Sequence, residues 1–378
     1  MKSVRAPYIG MRRLSAIERD PGRQVGRRIY LDHAATTPIL PEAATAILEA
    51  CDSWANPSSA HEEGRAVRAA MEDARARIAA ALGWTGSLIF TSGATEAIEI
   101  VMGRARAGPR IVSAIEHPAV LRSAPDARQV AVAPDGMLDL ADLDAALAGA
   151  DRPLVAVQSV NNETGVIHPI PEIAARVRQA GGLLLVDCAQ SAGKLPLPDA
   201  DFIVVAAHKL GGPPGIGALL AKDGATLEAV GGQEGGHRPG TAAVPMIMGF
   251  AAAIEADHGW YEEARRLRAK LDAAIVAAGG GIVAGGAPRI ATIACYRMPG
   301  VPAAAQMIQL DLAGIAVSAG SACSSGSQKT SHVLTAMGMS EDEAREVIRV
   351  SFGPSTTEGD IDALLTEWRT LYARRRAA

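Results

Sequence analysis

The sequence predicts an α/β fold, with a large domain on a mostly parallel sheet and a smaller α+β domain after it. Three observations point there. Helical and strand patterns alternate through the middle of the chain. The clearest strands, LLLVD (183–187) and DFIVVAA (201–207), are continuous apolar runs, as expected where helices cover both faces of a sheet. Beyond about residue 255 the alternation gives way to a long charged helix and scattered short strands.

Taken in order, residues 61–82 have helical spacing, with charges on one side and Ala, Val, Ile and Leu on the other. SLIF (87–90) reads as a short buried strand, Thr91–Gly93 as a turn, and ATEAIEIVMGRA as the helix after it. RIVSA (110–114) and LVAVQSV (154–160) are further strands. A helix begins near Pro171 and stops at the Gly181–Gly182 pair. Strands 183–187 and 201–207 follow. The later part reads as a helix at roughly 257–278, ATIACY (291–296), a helix near 303–311 and IAVSAG. It closes with VIRVSFG (347–353) and a helix from about 358 to 375. The expected division is a flexible extension (1–28), a small domain (29–45 with 256–378) and a large domain (46–255).

Composition bounds the function. Of 378 residues, 48% are hydrophobic and 21% charged, which supplies a large core and excludes a mostly disordered chain. No apolar run approaches the roughly 20 residues that span a bilayer, so no membrane partner is expected. A net charge of −4 and an aromatic content of 3% argue against a nucleic-acid partner. Cys51, Cys188, Cys295 and Cys323 form no CxxC pair, so neither a metal site nor a disulfide framework is predicted. A reduced, intracellular and specifically cytoplasmic setting fits. The arginine-rich first 28 residues lack the apolar face of a transit peptide and read as a floppy extension or an early start, with Met11 as the alternative.

Three segments carry chemistry. Lys209, between an apolar strand and a Gly/Pro loop, is one of only six lysines; partial desolvation there would free its amine as a nucleophile. On its own it reads more readily as a surface lysine at a strand end. Asp187 ends a buried strand, where open α/β sheets bind ligands, and needs a cationic or hydrogen-bonding partner. A helix cap or a satisfied core aspartate is the plainer alternative. FTSGATEA (90–97) runs strand, glycine turn, helix, and could cradle a phosphate with backbone N–H groups and the Thr95 hydroxyl; many helices start with such caps. Together the three supply a phosphate cradle, a pyridinium partner and a Schiff-base lysine, the set that pyridoxal phosphate requires.

Ten segments in family order then resemble the cysteine desulfurases of the class V aminotransferase superfamily. They are YLDHAATTP (30–38), NPSSAHEEGR (56–65), FTSGATEA (90–97), EHPAV (116–120), NNETG (161–165), VDCAQSAGK (186–194), HKLGGPPGIG (208–217), RPGT (238–241), SAGSACSSG (318–326) and IRVSFG (348–353). The resemblance implies a fold-type-I pyridoxal-phosphate enzyme, a homodimer that converts L-cysteine to L-alanine. It implies Lys209 as the cofactor lysine, Asp187 at the pyridinium nitrogen, and Gln190 and Asn162 on the ring-hydroxyl side. His117 would stack on the ring and shuttle protons, although from the residues alone it reads as a loop histidine capping the Pro118 turn. Ala94, Thr95 and His208 would hold the phosphate, with Thr241 reaching in from a neighbouring subunit. Arg349 would clamp the substrate carboxylate. Cys323, among small polar residues, would take the sulfur as a persulfide and pass it to a protein acceptor such as an iron–sulfur scaffold or a thiolation protein. The other three cysteines read as core or inert. Ala206 stands where the family usually has a phosphate-binding serine, and His33 where asparagine is common. A related aminotransferase, kynureninase-like hydrolase or selenocysteine lyase would not need Cys323, and a non-catalytic module would not need Lys209.

Overall fold

The computed structural model describes residues 28–257, 259–319 and 330–377. The chain enters as β1 (Ile29–Tyr30), then α1 (Pro41–Asp52) and α2 (Glu62–Leu82). The small, regularly spaced apolar residues Val67, Met71, Ala74 and Ile78 form the buried face of α2. His61 caps its start and Gly83, left-handed at φ 66°, ends it. The large unit continues β2 (Ser87–Thr91), α3 (Ala94–Arg104), β3 (Arg110–Ser113), α4 (Pro118–Ser123), β4 (Arg128–Val130), α5 (Leu140–Leu147) and β5 (Leu154–Gln158). Next come α6 (Ile170–Gln179), β6 (Leu183–Asp187), β7 (Phe202–Ala206), β8 (Gly217–Ala221) and α7 (Val244–Ile254).

The described residues build these strands into a seven-stranded sheet in the order β2-β8-β7-β6-β5-β3-β4. β4, β3, β5, β6 and β7 run parallel, while β8 is antiparallel to both β7 and β2. The mostly parallel sheet is as the sequence predicts. One face packs on α2, α6 and α7 through residues such as Ile78, Ile173 and Phe250. The other packs on α3 through Ile98 and Val101. Both faces are therefore dry, which is why β5, β6 and β7 are apolar at consecutive positions rather than alternate ones.

The last part comprises α8 (Trp260–Ala277), β9 (Gly281–Ile282), β10 (Ile293–Arg297), α9 (Ala303–Leu312), β11 (Ile315–Ala316) and β12 (Ser318–Ala319). It ends with α10 (His332–Ala336), α11 (Glu341–Ala344), β13 (Val347–Ser351) and α12 (Glu358–Ala377). β12, β13, β10 and β9 form an antiparallel sheet under α8 and α12, with a core of Leu267, Leu271, Tyr296, Phe352 and Trp368. The N-terminal strand belongs with this part: β1 pairs with β11, and Asp32 bridges Ser351. The segment after β1 then crosses to the large sheet, where Thr37 N–H donates to the His208 carbonyl and Leu40 N–H to the Gly211 carbonyl. No helix among the described residues is long and apolar enough to cross a membrane.

The sequence pattern places the main strands to within two residues, but it does not single out β8 or α7. β8 (GALLA) is made of small residues of low strand preference, and pairing on both sides makes it a strand. α7 (VPMIMGFAAAI) is apolar nearly all round, so no polar face marks its period.

Candidate active site

The carboxyl ends of β5, β6 and β7 and the N-terminus of α3 surround a cavity of about 420 Å³. Its walls include Ala94, Thr95, His117, Asn162, Asp187, Gln190, His208, Lys209 and Arg349. Nine residues singled out from sequence, spread from 94 to 349, thus meet around one space. Lys209 and Asp187, whose separation would have undone the reading, share it.

Lys209 ends the single 3₁₀ turn that follows β7. Its Nζ donates to the carbonyls of Ala34 and Ala35, the latter at 2.9 Å. Those carbonyls come from the crossing segment after β1, and nothing in a side-chain pattern could have announced them. Asp187 is the last residue of β6; its Oδ1 accepts from Ala189 N–H at 2.8 Å. Burial pushes its carboxyl above the usual range, against the Ala189 hydrogen bond and the charges of His117 and Lys209. A carboxylate so placed gains most from a bound cation.

His117 is the helix cap that the residues alone suggest, and its ring also borders the cavity. At the start of α4 its Nδ1 accepts from Ala119 N–H at 3.2 Å. With Nδ1 occupied as an acceptor, the neutral ring carries its proton on Nε2. Burial holds its pKa below the ordinary histidine value, opposed by the Asp187 charge and aided by that of Lys209. The preceding residue, Glu116, is fully buried; desolvation raises its carboxyl well above the ordinary range, against the hydrogen bond its Oε1 accepts from Gln158 N–H at 2.8 Å.

Gln190 donates from Nε2 to the Ala34 carbonyl at 3.0 Å, while its buried Oε1 has no partner. Arg349 is buried, donating from Nη1 to the Asn162 carbonyl at 3.0 Å and from Nη2 to Asp32 Oδ1 at 2.9 Å. Its Nε is unpartnered. The His208 ring meets Thr36 Oγ1 at 3.1 Å, and burial with the Lys209 charge lowers its pKa to about 4.

The turn into α3 depends on glycine. Gly93 sits at φ 150°, ψ −176°, a region all but closed to other residues, and a Cβ there would meet nothing within 4 Å. Gly217 of β8 lets the turn approach: a Cβ on it would come within 2.8 Å of Gly93 Cα and 2.5 Å of the Val205 carbonyl. Ala206 lies in the cavity wall without the hydroxyl its family position usually has.

Two expected residues stand apart. Thr241 is exposed and outside the cavity wall. Cys323 lies outside the described residues. Of the three remaining cysteines, Cys188 and Cys295 are buried, and desolvation pushes the Cys188 thiol up to about 12. Cys51, read as core or inert, is not core: it is exposed on α1. The sequence reading gave no role to Lys194, whose Nζ donates to the Gln190 carbonyl at 3.2 Å. It shares a neighbouring cavity of about 150 Å³ with Lys209, and burial plus the Lys209 charge lowers its pKa to about 7.

The open α/β sheet gathers a lysine amine, a desolvated carboxylate and a glycine-opened helix start around one cavity at its strand ends, where such sheets bind ligands. Residues 29–364 match the family model for class-V aminotransferases. A cysteine desulfurase from Frankia sp. (strain EuIK1) is 37% identical over 373 residues, 88% of each chain. An IscS-like cysteine desulfurase from Mycobacterium tuberculosis is 37% identical, covering 92% of this chain and 97% of that protein. The crystal structure of a NifS-like protein from Rickettsia africae superimposes with a TM-score of 0.84 at 32% identity, over 92% of this chain and all of that one. The chain belongs to the cysteine desulfurases of the class-V aminotransferase family.

Proposed function

We propose that this chain binds pyridoxal phosphate in the 420 Å³ cavity and uses it to convert L-cysteine to L-alanine, leaving the sulfur as a persulfide on Cys323. The observation that carries the reading is the convergence of Lys209, Asp187 and His117 on one cavity in a chain of this family.

The residues present fit the cofactor. The buried, unpartnered Gln190 Oε1 awaits a donor. The open space beyond Gly93, at the start of α3, suits a phosphate among backbone N–H groups. The desolvated Asp187 carboxylate suits a pyridinium N–H. Lys209 would join the cofactor, Gln190 and Asn162 would hold its ring-hydroxyl side, and His117 would cover its face. Ala94, Thr95 and His208 would hold its phosphate, with Thr241 of a neighbouring subunit. When bound, pyridoxal phosphate supplies the sink for the electrons left by removal of the substrate's α-proton.

The chain's own groups do the rest. The Lys209 amine takes the α-proton. Arg349 holds the substrate carboxylate through the part of its guanidinium that Asp32 and Asn162 leave available, and their hydrogen bonds fix its plane. His117 Nε2 holds or passes the proton of the substrate thiol. The Cys323 thiolate bonds to the substrate sulfur as the carbon–sulfur bond breaks, and the carbon is protonated to alanine. The persulfide then moves to a protein acceptor, which we take to be an iron–sulfur scaffold or a thiolation protein. A cytoplasmic homodimer, with the domain division 29–45 plus 256–378 against 46–255, completes the proposal.

The test is a Cys323→Ser variant given L-cysteine. The unaltered chain should form alanine and one extra sulfur on Cys323, read by mass spectrometry of the intact protein. The variant should keep the cofactor's visible absorbance while alanine formation falls ~10³-fold or more. Undiminished alanine release from that variant would reassign the chain to a lyase reaction that frees the sulfur without Cys323. Arg349→Lys should raise KM for L-cysteine about 10- to 100-fold, because an ammonium cannot copy the forked contact; initial-rate kinetics reads this directly.

A further inference from the structure

The turn between β2 and α3 is gripped from outside by two carboxylates, both tied to the same exposed, glycine-rich loop. Glu234 is the first. Its side chain is only 3% exposed although the glycines around it are on the surface. Its Oε2 accepts from Phe90 N–H at 2.8 Å and from Arg75 Nη1 at 2.7 Å, and its Oε1 from Arg75 Nη2 at 2.9 Å. Arg75 is itself fixed, stacked 4.4 Å from the centre of the Phe90 ring and donating to the Leu88 carbonyl at 2.7 Å. Glu96 is the second. Its Oε2 accepts from Ser92 N–H, and both of its oxygens accept from Arg238 Nε, at 3.1 and 3.3 Å.

Phe90 and Ser92 thus have their N–H groups held by acids whose positions depend on residues 234 and 238 of one loop. A third tie, from Arg104 Nη1 to the His237 carbonyl at 2.9 Å, joins the loop to the far end of α3. The backbone shows that this grip is imposed rather than relaxed. Glu234 has φ 53°, a left-handed conformation that a glutamate adopts only when its surroundings over-determine it. Flanking glycines at 231, 232, 235 and 236, all at positive φ, let the chain double back to deliver it.

We propose that Glu234 and Arg238 are positioning residues for anion binding: through Phe90 and Glu96 they hold the Ser92–Thr95 turn in the conformation that receives a phosphate. This rests on the assignment of that turn to the cofactor phosphate made above. Neither residue touches the phosphate. Each fixes the strand end or helix start from which the donating N–H groups project, so that the donors need not be ordered when the anion arrives.

The test compares two aldehydes on the cofactor-free chain, pyridoxal 5′-phosphate and pyridoxal. Both meet Lys209 and Asp187, and only the first carries a phosphate, so the ratio of their dissociation constants isolates the turn. Quenching of tryptophan fluorescence gives both constants without any turnover. Glu234→Gln and Arg238→Met should each lower the preference for the phosphorylated aldehyde about tenfold, the size expected for loosening charge-assisted hydrogen bonds. Affinity for pyridoxal should stay within about twofold. Thr95→Ala should lower the same ratio, and adding Glu234→Gln to it should cost less than the two losses combined, since both act on one turn. Far-UV circular dichroism identifies a variant that fails to fold, in which case Arg75→Lys, which keeps the charge but not the fork, replaces Glu234→Gln. Equal weakening of both aldehydes, or an unchanged ratio in Glu234→Gln and Arg238→Met while Thr95→Ala lowers it, overturns the proposal. An unchanged ratio in Thr95→Ala instead removes the phosphate assignment itself.

Discussion

Lys209→Ala cripples turnover: alanine release from L-cysteine falls by about 10²- to 10⁴-fold, the range set by removing a positioned proton-transfer group, while the circular dichroism spectrum is retained. The amine leaves no substitute of equal placement. Its Nζ is aimed by two backbone carbonyls, Ala34 and Ala35, that survive the substitution and hold nothing in its absence. A small primary amine added to the variant should restore part of the rate, because the cavity gains the volume the side chain gives up. If the variant turns over at the original rate, the proton is carried elsewhere. The first place to look is then Lys194, whose amine borders the same small neighbouring cavity and whose pKa burial lowers to about 7.

The second large effect concerns stability. Arg268, on α8, is 6% exposed and sits inside the antiparallel sheet's core. Its Nε donates to the Ala291 carbonyl at 2.9 Å, Nη1 to Tyr296 Oη at 2.5 Å and Nη2 to the Val350 carbonyl at 3.2 Å. Its guanidinium stacks 4.2 Å from the centre of the Phe352 ring. Tyr296 Oη in turn donates to Asp272, which also accepts from Arg289 Nη2 at 2.8 Å. Arg268→Ala strips partners from two buried carbonyls and a buried hydroxyl and opens a cavity beside an aromatic ring. It should destabilise the chain by about 3–5 kcal/mol, the range for breaking a buried charged network. Urea unfolding followed by circular dichroism reads the loss as a lowered midpoint at an unchanged slope. Loss of less than about 1 kcal/mol would mean that water enters and replaces the guanidinium.

What the sequence made legible, and what it hid, follows from where each signal resides. Asp187, Thr95 and Lys209 stand at the ends of apolar strands or the start of a helix, so the local pattern marks both the element and its reactive terminus. The side chains that resemble the family's site meet at one cavity for the same reason: the parallel sheet delivers its strand ends to one edge. The partners of those side chains were not legible. The carbonyls of Ala34 and Ala35 carry no side-chain signature, and the contact spans 175 and 174 residues of sequence. Glu234 in a glycine-rich stretch reads as a solvated loop acid; only the fold reveals that it is buried on Arg75. Lys194, close behind Asp187 in sequence, carries no local signal, and only the fold brings it beside Lys209. For Cys51, read as core or inert, the fold excludes the core, because helical spacing gives the period of a face but not which neighbour covers it.

The stretch from Asp32 to Leu40 links two halves of the molecule that are otherwise far apart in sequence. Asp32 neutralises Arg349 from β13, Ala34 and Ala35 seat the Lys209 ammonium, and Leu40 closes onto Gly211. The guanidinium and the amine are therefore both tied to one nine-residue ruler of main chain, which works alongside the direct bond from Arg349 to the Asn162 carbonyl. Anyone re-ordering this chain by circular permutation could cut many surface loops, but a break within that ruler would let the two cations drift independently.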